Sequence, residues 1–190
     1  MALCASGAAA QPAGSLAGRT EAPVRYGPPP PVLADIALPN EIGMLAGDRV
    51  FGVLVTAPLV RRRLSATGAA GFSGTATLGL GRAAAGLFAS AGTAGNLLVA
   101  SAGAGVWAET SPRGRAFGPA VEARLRLAVL RAEAGAVVAG TRARWLRVGV
   151  GLPLLVVVAG GIAFVGVAVE TRRFDATGRT LRTVAVSLSL

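Results

Sequence analysis

The sequence predicts a mainly α-helical fold, a small multi-pass membrane protein with two or three transmembrane helices and a short C-terminal β-hairpin. Three observations point there. The 190 residues are 53% hydrophobic and only 15% charged, with a mean hydropathy of +0.60, against about 25% charged for an ordinary soluble domain. Two uncharged runs, 83–108 and 148–169, are long enough to cross ~30 Å of hydrocarbon as helices. The two tryptophans, Trp107 and Trp145, stand at the ends of those runs that face each other in sequence, where amphipathic rings favour a bilayer interface.

Residues 1–40 read as a flexible Pro/Ala/Gly-rich tail, with a four-proline run from Pro28 to Pro31 that favours an extended polyproline spacer. Its small residues and missing basic start make a poor secretory signal. Residues 41–190 form the membrane domain. Within it Val50–Val60 is apolar but interrupted by Pro58 and too short for a spanning helix, so it reads as a buried strand or an interfacial segment. The uncharged stretch 64–81 follows Arg61, Arg62 and Arg63 and is long enough for an extra span, although five glycines weaken it.

The run 83–108 places small residues four apart at Gly86, Ser90 and Ala94, and again at Ala91 and Gly95. On a helix that spacing makes a close-packing face, with Asn96 seeking a partner on a neighbouring helix. The run 148–169 holds eight valines, three leucines, Ile162 and Phe164 between Arg147 and Glu170, the stronger of the two spans by hydropathy. Residues 109–147 then form an Arg-rich loop with eight arginines and three glutamates. Glu122 and Arg126 are spaced to pair on a helix, and Arg144 and Arg147 flank Trp145 to reach the headgroups. With 64–81 counted as a span, the arginine balance places this loop in the cytoplasm. The tail 170–190 turns at Asp175–Gly178 and alternates Val184, Val186, Leu188 and Leu190 with small residues, a hairpin signature.

Absences limit the chemistry. All 19 basic residues are arginine, there is no histidine, and Cys4 is the single cysteine. Histidine-based catalysis, imidazole metal ligation, lysine Schiff bases and internal disulfides are thereby excluded. The string Gly79-Leu80-Gly81-Arg82-Ala83-Ala84 has the form of a dinucleotide-binding turn, but the next acid, Glu109, comes too late for a ribose ligand. Glu122, Glu133, Asp35, Glu41 and Asp48 show no paired-carboxylate spacing. The sequence therefore predicts no catalytic, cofactor-binding or metal site and no cofactor. Its expected function is an integral membrane accessory or scaffold subunit, packing partner helices against its Gly/Ala/Ser face. Expected partners are anionic lipid headgroups at the Arg-rich loop and other membrane helices, with no nucleic acid, in a cell inner membrane or an organelle membrane. A soluble nucleotide-binding protein using Gly79–Ala84 and a small channel or transporter component are the alternatives.

Overall fold

The computed structural model describes residues 37–189 apart from Asn96, Ala159 and Gly160. Its regular elements are ten strands: β1 (Glu41–Gly47), β2 (Val50–Arg63), β3 (Gly68–Leu80), β4 (Arg82–Ala94), β5 (Leu98–Ser111), β6 (Gly114–Leu127), β7 (Leu130–Val137), β8 (Ala143–Val158), β9 (Gly161–Phe174) and β10 (Thr180–Ser189). Each pairs antiparallel with its sequence neighbour, and β1 pairs with β10 to close a barrel. Closure satisfies every strand edge within the sheet.

The predicted helical fold is therefore corrected throughout. No helix among the described residues is long and apolar enough to cross a membrane. The span expected at 83–108 is the β4–β5 hairpin, and the span expected at 148–169 is the β8–β9 hairpin. The extra span at 64–81 is a turn followed by β3, and the Arg-rich loop 109–147 is mostly the strands β6, β7 and the start of β8. A scaffold that docks helix against helix falls with them. The physical reason lies in an ambiguity of spacing. Residues four apart share a face of a helix and, four being even, also share a face of a strand. Gly86, Ser90 and Ala94 do lie on one face, but it is the inner face of β4, while Ala91 points outward. Asn96 lies outside the described residues.

The valine run is explained by the same parity. Val148, Val150, Val165, Val167 and Val169 point out and are exposed, whereas Gly151, Gly166 and Ala168 point in. A run too long for one strand divides into two. The expected C-terminal hairpin is present, turning at 175–179 between β9 and β10, and both its strands are staves of the closed barrel. Val50–Val60 lies within β2, with a bulge at Pro58–Val60, a place where a missing N–H costs the ladder little.

Tight turns hold one end of the barrel. Asp48 (φ 44°) and Arg49 (φ 64°) are both left-handed, as a two-residue hairpin turn requires. Gly81 (φ 74°) reverses the chain between β3 and β4. The Gly79–Ala84 string is thus a hairpin with Gly79 opposite Arg82, and no helix follows to receive a phosphate. Together with the turns at 112–113, 138–142 and 175–179 these form the far end; Glu41 and Ser189 lie at the near end. Of the predicted tail, 1–36 lies outside the described residues. Ala37 and Leu38 are buried against Ala69, Ala94 and Val99 in the near mouth.

Inside and outside differ sharply. The outer face carries Ile42, Val53, Phe72, Leu87, Val106, Leu125, Leu146 and Val186, all exposed. Arginines join that face only at the ends. Arg49, Arg113, Arg115, Arg142, Arg144, Arg173, Arg179 and Arg182 ring the far end, and Arg61, Arg62 and Arg63 stand at the near end of β2.

Adjacent positions on β4 test this architecture. Ser90 is buried, bonds Ser73 at 2.8 Å and faces Gly103, so Ser90→Leu is expected to destabilise the barrel by about 1–3 kcal/mol through overpacking and an orphaned hydroxyl. Ala91→Leu, pointing outward, is expected to stay within about 0.5 kcal/mol of the parent. Thermal unfolding in detergent micelles checks both. Equal effects at the two positions would contradict the inside–outside assignment.

Candidate functional site

The barrel interior is where the chain collects its chemistry. All five glutamates among the described residues, Glu41, Glu109, Glu122, Glu133 and Glu170, sit on inward positions. A carboxylate placed there loses most of its water and persists only with a cationic partner. Each of the five has one.

Toward the far end, Glu109 on β5 accepts a bond from Arg82 Nε at 3.0 Å, from Trp107 Nε1 at 3.1 Å, and from Arg172. Glu170 on β9 pairs with Arg82 Nη2 at 2.8 Å and Arg172 Nη2 at 3.3 Å. Two cations and two anions alternate around a closed square, with side chains exposed by only 1%, 0%, 9% and 3% for Arg82, Glu109, Glu170 and Arg172. Trp107 and Trp145 stack beside it, ring centroids 5.2 Å apart and planes at 28°. The Arg172 guanidinium lies 4.9 Å from one ring centroid and 4.7 Å from the other, an attractive cation–π geometry. Inward glycines make room for these rings. A Cβ at Gly86 would strike Trp107, and one at Gly135 would strike Trp145.

This placement corrects the reading of both tryptophans as interface anchors. They are buried in the lumen, 4% exposed each, because residues 107 and 145 share inward parity with Glu109 and Arg147. Their indole dipoles and faces serve the charge square.

Nearer the other end, Glu41 receives Arg147 through two bonds, 2.7 and 3.1 Å, and also Arg131, which bonds Ser187 at 2.9 Å. Arg124 reaches Glu122 at 3.1 Å and Glu133 at 3.5 Å. The expected Glu122–Arg126 helix pair is absent from this arrangement: the strand puts Arg124, two residues on, beside Glu122. Arg126 instead lies over the Phe164 ring at 4.3 Å. A cavity of about 110 Å³ remains at the near mouth, bounded by residues 37–41, Arg124, Arg131 and Arg147 among others. Hydroxyl pairs, Thr56–Thr75 at 3.2 Å and Ser73–Ser90 at 2.8 Å, line the wall of β2, β3 and β4.

No site residue follows from residue types and spacings alone, and the five glutamates and five arginines of these pairs emerge only with the fold. The signal was present in alternation. In Val121-Glu122-Ala123-Arg124-Leu125-Arg126-Leu127 every charge occupies an even position and every apolar residue an odd one, a period of two. Among the described residues no group of His, Cys, Asp or Glu is placed to hold a metal ion. No protein-family model matches the chain, and no curated protein sequence matches it.

The square's integrity rests on Glu109. Glu109→Gln keeps the shape but leaves Arg82 and Arg172 sharing the single carboxylate of Glu170. The expected cost is about 3–5 kcal/mol, the usual penalty for breaking a buried ion pair from one side. Thermal unfolding followed by the near-ultraviolet circular dichroism of Trp107 and Trp145 reads it. A loss below about 1 kcal/mol would mean that water screens the square.

Proposed function

We propose that the chain is an integral membrane β-barrel with a closed lumen, a structural resident and anchor in the bilayer. One observation carries this reading: the barrel is inverted in polarity, apolar around its outer circumference and ion-paired within. In water, a continuous apolar belt would exceed many times the few hundred Å² that soluble monomers expose. In hydrocarbon the same belt is at rest, and the closed sheet leaves no unpaired backbone edge.

Dimensions support it. On β5 the outward residues from Leu98 to Ala108 are uncharged, and ten steps of about 3.4 Å at a tilt of about 40° rise about 26 Å. Spanning barrels carry an apolar band of about 25 Å. Even strand number and short turns at both ends fit the same class.

The lumen supports a stabilising role over a catalytic one. Each described glutamate is committed to arginine, and the chain has no histidine or lysine. A general acid or base would have to be taken from a pair that holds the barrel together.

Alkaline carbonate extraction of membranes from cells expressing the chain tests the reading. The full chain is expected in the membrane pellet, and the purified barrel in a planar bilayer is expected to show no stable unit conductance. Release into the carbonate supernatant as a dissolved monomer would overturn the membrane assignment; a steady ohmic conductance would overturn the closed lumen.

A further inference from the structure

The two ends of the barrel are unlike. Eight arginines ring the far end against three at the near end, and the acids that accompany the eight are Asp48 and Asp175. Their ion pairs are loose: Asp48 stands 3.6 Å from Arg113, its other oxygen accepting the Arg182 backbone N–H at 2.9 Å, and Asp175 stands 3.5 Å from Arg144, all four side chains 30% exposed or more. The other six arginines of this ring have no carboxylate partner among the described residues.

Four of the eight project from the outer wall itself, on β6, β8, β9 and β10: Arg115, Arg144, Arg173 and Arg182. Each stands close to the apolar belt: Arg115, Arg144 and Arg182 are two residues from Phe117, Leu146 and Val184, and Arg173 is four from Val169. Moreover, Arg144 and Arg173 are direct cross-strand partners. Like charges facing each other across a ladder repel, and nothing in the barrel offsets this pair beyond the exposed Asp175. An anion between them would. A guanidinium fork matches a phosphate with two parallel bonds, and its alkyl stem lies along apolar surface while its head reaches water.

We infer that the far-end arginines form a binding girdle for the phosphate groups of anionic lipids, so that the barrel seats this end in a phosphate-rich leaflet. The inference rests on the membrane reading above and adds to it a lipid class and a polarity. Arg82, Arg124, Arg131, Arg147 and Arg172 in the lumen take no part, being spent on glutamates; the headgroup contacts expected of an Arg-rich loop pass instead to a ring contributed by several turns and strand ends.

The test is lipid selectivity in reconstituted vesicles, measured by spin-labelled lipids immobilised at the barrel wall. The full chain in phosphatidylcholine vesicles is expected to retain labelled phosphatidylglycerol about threefold or more over labelled phosphatidylcholine at low salt. In about 1 M salt, where the screening length is ~3 Å, the ratio is expected to fall to near parity. A variant combining Arg115→Gln, Arg144→Gln, Arg173→Gln and Arg182→Gln is expected to insert and show parity even at low salt, while Arg62→Gln at the opposite end retains the parent's ratio. An inserted parent with parity at low salt, or selectivity that salt leaves unchanged, overturns the girdle while leaving the membrane reading intact. A parent that stays out of both kinds of bilayer overturns both. Should the fourfold variant fail to insert, the salt series on the parent still decides.

Discussion

Charge pairing inside a narrow, closed sheet is the constraint from which the rest of the structure follows. Removing a carboxylate from water costs several kcal/mol even after relaxation, and five are placed there. They are tolerable because five arginines, Arg82, Arg124, Arg131, Arg147 and Arg172, pair with them, mostly across strands. Such pairing fixes register more firmly than packing alone. A slip of one residue in any strand would turn its charges toward the apolar side and its valines into the ion-paired interior. The pairs contribute little net attraction over an apolar filling of equal volume. What they do is make every competing register far worse.

The aromatic residues serve that constraint in a second way. Trp107 donates to Glu109 and stacks on Trp145, and Arg172 covers both rings. Large rings then demand small neighbours, which Gly86 and Gly135 supply. The many glycines of the chain are in part this complement. Gly114 likewise faces the Phe174 ring and Gly166 the Arg131 guanidinium, the large–small alternation by which small barrels fill their interiors.

How much of this was legible in the sequence depends on which periodicity is tested. Composition and hydropathy point correctly to a surplus of apolar surface, and residue identity excludes histidine and lysine chemistry outright. The fold itself was misread because long uncharged runs suit a helical span by length. Their internal order argued otherwise: Val148-Gly149-Val150-Gly151-Leu152 and Val165-Gly166-Val167-Ala168-Val169 alternate large and small without a break. Small residues four apart, as at Gly86, Ser90 and Ala94, satisfy both periods and discriminate nothing. The luminal pairs were legible only as parity. Which glutamate meets which arginine depends on partners as distant as Glu41 and Arg147, and no local pattern encodes that.

The seam between β1 and β10 has a consequence for biogenesis. Glu41 lies opposite Ser189 and Ala46 opposite Val184, so the cylinder shuts only when β10 has been made. Until then β1 and the newest strand are open templates for any other extended chain, and joining segments so remote in sequence is slow. During that delay the apolar outer wall faces whatever surrounds the nascent chain. Loss of β10 alone would thus convert a finished vessel into a sticky sheet with two open edges.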